Sequence, residues 1–252
     1  MKLKKIVVLS LKVVSFGIFF LVADTLLAAS FTQDVGAIQI NWSSERFRSF
    51  GVATIQEKSS EAIAKAEKEA MDKAYSNVKD NLDALSDALG IVSSKVDFSS
   101  FKPSIYLAKT EYYDFDSVKV IVEARMSRLF KGVVFLDPSK RFSESKNSGV
   151  IFSVDSGVKP ASLYTIYNEE GQPVFSSVNV YAQAFDTSAM GKWFKGRAGN
   201  FGEIEKIVGK TPVTIKVKSQ GGRMVVTSSE WQAAISGNEG LVADCKVALI
   251  VE

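Results

Sequence analysis

Three features of the chain predict an α+β fold. The stretch Ser59–Leu89 carries apolar residues at helical spacing and contains neither Gly nor Pro. Two strand-like runs, Ser104–Tyr113 and Ser117–Leu129, flank the turn residues Asp114-Phe115-Asp116. The back half then offers a series of short apolar runs punctuated by turn chemistry. Together they predict a strand–long helix–antiparallel hairpin module over residues 30–136, a linker over 137–148, and a second, strand-rich α+β module over 149–252.

Residues 1–29 read as an export signal. Met1–Lys5 is basic, Val13–Ala23 is an apolar run without a charge, and Leu27-Ala28-Ala29 offers small residues for cleavage. Cleavage is expected after Ala29, with Ser30 as the next choice, and periplasmic localisation follows. The alternative is an uncleaved inner-membrane anchor with weak membrane association. It is disfavoured because a span needs about 20 apolar residues and Lys12 and Asp24 bracket the run. No cysteine follows the run, so a lipid-modified N-terminus is not expected.

Gly36–Trp42 and Phe47–Ile55 are strand-like, with Ser43-Ser44-Glu45 as a turn or bulge between them. In the long helix, Ile63, Ala66, Ala70, Ala74, Val78, Leu82, Leu85 and Leu89 recur every three or four residues and so form one stripe. Its alanine half suits close approach to a sheet, and its leucine half fills a deeper gap. Ser59 or Ser60 is the expected N-cap, and Gly90 suits the C-terminus. Glu61–Lys65 and Glu69–Lys73 are i,i+4 pairs in the favourable order.

Ile91–Phe98 reads as a short strand. In Ser117–Leu129, Val118, Val120, Val122, Ala124 and Met126 share one face, which matches the one-sided helix. Gly132–Leu136 extends the sheet in this reading, and SKRFSESKNSG after Asp137-Pro138 is the linker. In the back module the expected strands are Val150–Val154, Ala161–Tyr167, Val174–Val180, Val213–Lys218, Met224–Thr227 and Lys246–Val251. Turns are expected at Asn168–Gly171 and Gly221-Gly222, and short helices at Gly202–Ile207 and Glu230–Ile235. Ser188–Gly209 reads as glycine-rich and irregular.

Composition narrows the chemistry. The absence of histidine excludes a Ser-His-Asp triad, and with a single cysteine it excludes Cys/His zinc sites and intramolecular disulfides. The formal charge of +3 resides in the leader: removing Lys2, Lys4, Lys5, Lys12 and Asp24 from totals of 31 and 28 leaves 27 of each sign. A basic nucleic-acid surface is therefore not expected. Ser139-Lys140 and Ser145-Lys146 lie in the linker and lack the frame a Ser-Lys hydrolase needs. Asp114, Asp116, Glu169 and Glu170 sit where turns want them. Cys245 reads as a core residue. No catalytic, cofactor or metal residues are assigned.

Two clusters remain as candidate contact sites. Gly191–Gly202 combines glycines with Lys192, Trp193, Phe194, Lys195 and Arg197. It reads either as a glycan- or anion-binding loop or as a loop whose aromatics plug the core. Tyr106, Tyr112, Tyr113 and Phe115 cluster around the first hairpin as a stacking platform or a partner contact.

Two segments carry a resemblance. Ser49–Leu89, with Gly51-Val52-Ala53 entering an alanine-spaced helix, resembles the LPP-type bacterial envelope lipoproteins. That group is similar to flagellar assembly protein P and to the N-terminal domain of flagellar assembly protein T. Ile151–Asn179 (IFSVDSGVKPASLYTIYNEEGQPVFSSVN) and Val208–Val213 (VGKTPV) resemble segments that follow this module in larger exported members. The resemblance implies a non-enzymatic envelope component, associated with flagellar basal-body rings or surface attachment. Its partners would be envelope or flagellar proteins, or copies of itself as a homo-oligomer. The missing lipid-attachment cysteine departs from the family pattern and favours a soluble periplasmic or protein-docked subunit.

Overall fold

A computed structural model describes residues 29–91, 98–114, 116–196 and 202–252. Of the export-signal reading of residues 1–29, residues 1–28 lie outside them and only Ala29 is described. The fold is α+β, with two sheets. None of the described helices is long and apolar enough to cross a membrane.

The first sheet is fully antiparallel. Its strands are β2 (Thr32–Val35), β3 (Ile38–Asn41), β4 (Arg46–Thr54), β5 (Tyr106–Tyr113) and β6 (Ser117–Arg125), in the order β2-β3-β4-β6-β5. β1 (Ala29–Ser30) leaves this module and joins the second sheet. The expected strand at Gly36–Trp42 is thus the second half of a hairpin that turns at Gly36. The expected strand over Ser117–Leu129 ends at Arg125 and continues as a 3₁₀ turn over Met126–Leu129.

The long helix lies across this sheet, as its stripe requires, in two pieces: α1 (Ser60–Asp80) and α2 (Leu82–Ala88). Ser59 caps α1, its hydroxyl accepting from the Ala62 N–H. The break is at Asn81, whose own N–H and side-chain amide both bond back to the Asn77 carbonyl. Ala66, Ala70, Ala74, Val78, Leu85 and Leu89 are buried, while Ile63 and Leu82 are half-buried. The alanines bring the helix backbone onto β4 at Gly51. A Cβ built there would lie 2.0 Å from the Ala70 carbonyl oxygen and 2.7 Å from the Ala74 nitrogen. Side chains fasten the contact: Ser49 Oγ donates to the Ala74 carbonyl, Asn77 to that of Phe50, and Lys73 to that of Val52.

The strand expected at Ile91–Phe98 falls mostly outside the described residues. Phe98 itself opens a short helix, α3 (Phe98–Phe101), which corrects that end of the reading. Gly132–Leu136 forms no strand either. Its apolar side chains pack as coil, and the Leu136 N–H bonds to the Val180 carbonyl. Residues 137–148 then run as a strap across the second module. Tyr181 donates to the Lys140 carbonyl, and Asn147 and Asn238 exchange two hydrogen bonds.

The second sheet contains β7 (Val150–Val154), β8 (Ile166–Tyr167), β9 (Pro173–Phe175), β10 (Lys192–Lys195), β11 (Val213–Gln220), β12 (Arg223–Val225) and β13 (Val247–Val251). With β1 the order is β1-β10-β13-β7-β11-β12-β8-β9. Its centre is parallel: β10, β13, β7 and β11 run the same way. Such strands are covered on both faces and read as continuous apolar runs. Ile151, Phe194, Ala248 and Ile250 pack beneath α5 (Gly202–Val208). On the other face, Phe152 stacks on Trp231 of α6 (Ser228–Ile235). α4 (Ala182–Ser188) and α7 (Glu239–Ala243) complete the module.

Several expected boundaries change, and Met224–Thr227 gives way to β12, with Thr227 capping α6 instead. Ala161–Tyr167 and Val174–Val180 shorten to β8 and β9, and Ser188–Gly209 is not wholly irregular, because β10 runs through it. The two modules share one buried core extending from Ile38 to Leu249.

Candidate functional site

Because α1 occupies one face of the first sheet, the other face is uncovered among the described residues. Along β4, Ser49, Gly51 and Ala53 point to the helix, so Phe50 and Val52 point away, 47% and 45% exposed. Phe50 opposes Ile121 on β6, and Val52 opposes Lys119, whose Nζ sits 4.9 Å from the Phe50 ring centre. Tyr113 on β5 lies over the same face opposite Ser117. β5 is the outermost strand, so its outer backbone groups have no strand partner among the described residues. Its register shifts between Leu107 and Lys109, a bulge that limits straightforward pairing of that edge.

Charge frames the apolar patch. At one end Glu123, itself buried, takes Arg48 Nε at 2.5 Å, Arg46, and the Tyr106 hydroxyl at 2.5 Å. At the other, Glu111 is bonded by Lys109 at 2.6 Å and by Tyr113 at 2.7 Å. Burial pushes the Glu123 carboxyl up. The bonds from Tyr106, Arg48 and Arg46 outweigh it and hold the group below the usual carboxylate range. Its contribution to stability is therefore present above the unfolded value and lost as pH falls through the lower folded one. Glu123→Gln is expected to cost about 1.5–3 kcal/mol at pH 7. The difference from wild type should shrink in acid-titrated urea unfolding below about pH 4.

The three described tyrosines of the hairpin all lie on β5 but do not gather, since Tyr106 stands at the far end of the strand from Tyr112 and Tyr113. Tyr106 and Tyr113 serve the open face, while Tyr112 turns to the helix side and donates to Glu67. Phe115 lies outside the described residues. In the second cluster the core-plugging reading fits and the ligand-binding one is corrected for the two aromatics. Trp193 and Phe194 are 0% and 3% exposed, so they offer no face to a ligand. β10 places them on opposite sides of the second sheet, Trp193 toward Phe152 and Phe194 toward α5. Lys192 is half-buried, Lys195 is exposed with its Nζ 4.4 Å from the Phe31 ring centre, and Arg197 lies outside the described residues. Sequence reasoning missed Phe50 and Val52. Their signal was present: from Phe50 onward β4 is apolar on both faces, more than one helix can cover.

Elsewhere the polar residues do local work. Glu169 accepts from the Ser228 N–H and hydroxyl at the start of α6. Cys245 is buried, and burial pushes its thiol up, away from nucleophilic character. A groove of about 1170 Å³ runs between the strap and the second module, lined among others by Phe142, Ser145, Tyr181, Gln183, Asp244 and Lys246. Its charges are of mixed sign. Among the described residues no three His, Cys, Asp or Glu side chains gather as a metal-binding set.

No protein-family model matches this chain, and no curated protein matches it. The resemblance to envelope lipoproteins therefore rests on the quoted segments alone, and the functional argument on the surface just described.

Proposed function

We propose that the chain is an exported, non-enzymatic assembly protein of the bacterial cell envelope that acts by protein–protein contact, with the flagellum as the structure it serves. The observation that carries the contact reading is the open face of the first sheet. Phe50, Val52, Ile121 and Tyr113 form an apolar centre framed by two charged networks, the composition of an interface core and rim. Export to the periplasm rests on the leader, and the flagellar link on the resemblance. The alternative, a glycan- or anion-binding module centred on Gly191–Gly202, is less well supported because the two aromatics it needs are buried.

The test is genetic and biochemical together. A deletion strain is expected to assemble or rotate flagella poorly, and the wild-type chain to restore swimming. A Phe50→Asp/Val52→Asp chain should fold, since exposed substitutions usually shift stability by about 0.5 kcal/mol or less. It should nevertheless fail to restore swimming and fail to co-purify with envelope proteins that the wild-type chain retains. Normal swimming in the deletion strain sinks the flagellar assignment. A fully active double variant sinks the open face as the contact.

A further inference from the structure

The turn between β3 and β4 belongs to the first module but is inserted into the second. The Trp193 N–H donates to the Trp42 carbonyl at 3.2 Å. Ser43 Oγ donates to the Trp193 carbonyl at 2.5 Å and accepts from the Phe31 N–H at 2.8 Å. Glu45 closes this turn with φ 54, a left-handed conformation that a side-chain-bearing residue adopts only when its surroundings enforce it. Its carbonyl accepts from the Met126 N–H, and its side chain points inward, leaving the residue 3% exposed.

The carboxyl is poorly provided for. Oε2 accepts one hydrogen bond, from Ser162 Oγ at 2.8 Å, and Oε1 has no hydrogen-bond partner. No cation stands within ion-pair distance of it among the described residues. A buried carboxylate held by one hydroxyl is costly, and a neutral carboxyl is much less so.

The titratable groups that face it come from three elements. Lys192 on β10 is the positive one, and it is half-buried. Tyr164 lies in the coil before β8, with its hydroxyl already donating to the Met190 carbonyl at 3.0 Å. Cys245 lies in the turn before β13, next to the exposed Asp244. Burial pushes Tyr164 and Cys245 up, so both stay neutral near pH 7 and neither offers Glu45 a charge. Burial likewise drives the Glu45 carboxyl well above its ordinary range. The Ser162 bond and Lys192 pull it back only in part.

We propose that Glu45 is a proton-operated latch between the two modules, closed while its carboxyl is neutral and loosened when it ionises. The stabilisation it supplies is fully present below the ordinary glutamate value of 4.5 and is lost as pH rises through the raised folded value. That sign is opposite to the sign at Glu123. Opening the latch releases the Trp42 turn from β10 and changes how the open face of the first sheet is carried relative to the back module.

Two measurements on the full chain test this. Near about pH 6, above the ordinary carboxyl range, the infrared difference between wild type and Glu45→Gln should contain a protonated-carboxyl band from the wild type. Hydrogen exchange at residues 42–45, 160–164 and 192–195, corrected for intrinsic rates, should quicken by about tenfold or more in wild type across the pH rise over which that protonated-carboxyl band is lost. The change should be about twofold or less in Glu45→Gln. Absence of the protonated band, or equal pH dependence in both chains, overturns the latch. Should Glu45→Gln fail to fold, Ser162→Ala keeps the question open to experiment. It removes the bond that favours the charged form, so the wild-type exchange transition should move to higher pH. A transition that stays in place overturns the proposal.

Discussion

Gly51→Ala is expected to destabilise the protein by about 3 kcal/mol or more, the upper end of the range for overpacked sites. The added methyl would enter space already held by the Ala70 carbonyl oxygen and the Ala74 nitrogen, at 2.0 and 2.7 Å. These are backbone atoms of α1, so no side chain can rotate out of the way. The helix would have to lift off β4, giving up the Ser49, Asn77 and Lys73 bonds along the same seam. Urea unfolding followed by far-ultraviolet circular dichroism reads the effect directly. A loss under about 1 kcal/mol would mean that the helix does not rest on Gly51 as described.

Trp193→Ala should cost about 3–5 kcal/mol, the range for emptying a buried aromatic site. The indole is fully buried, donates from Nε1 to the Ala161 carbonyl at 2.9 Å, and meets the Tyr164 ring edge-on at 5.8 Å. Its removal leaves that carbonyl without a donor as well as leaving a cavity. Calorimetry should show a markedly lower melting temperature. Trp193→Ala is therefore a probe of the core and cannot report ligand binding on its own. A variant as stable as wild type would restore the binding-loop reading of Gly191–Gly202.

What the sequence made legible was periodic and local. The stripe from Ile63 to Leu89 identified the helix, and the alternation from Val118 to Met126 identified its floor, because both follow from the repeat of a single element. The break at Asn81 left no comparable mark, since the stripe continues through it. β10 was hidden for a different reason. Four residues between glycines show no periodicity, and only the neighbouring β13 makes them a strand. Glu45 was the least legible. It stands in the polar run Ser43-Ser44-Glu45-Arg46, and what buries it includes Ser162, 117 positions along the chain. The open face is half legible: the tyrosines mark the hairpin, but Phe50 and Val52 sit in a short apolar strand whose sequence does not say which face the helix covers.

The threading of β1 and the Trp42 turn into the second sheet has a consequence for assembly in time. β4, α1, β5 and β6 are contiguous enough to collapse once the first half of the chain exists. The bond from Ser43 to Trp193 spans 150 positions, and β1 likewise waits for β10. During vectorial emergence the front half must therefore hold an unbonded Trp42 turn and an unpaired strand until the back half arrives. Long-range closure of this kind is slow and exposes sticky surface meanwhile. Refolding should show a fast phase in which helix signal returns and a slower one in which the Trp193 amide, bonded to the Trp42 carbonyl, becomes protected from hydrogen exchange.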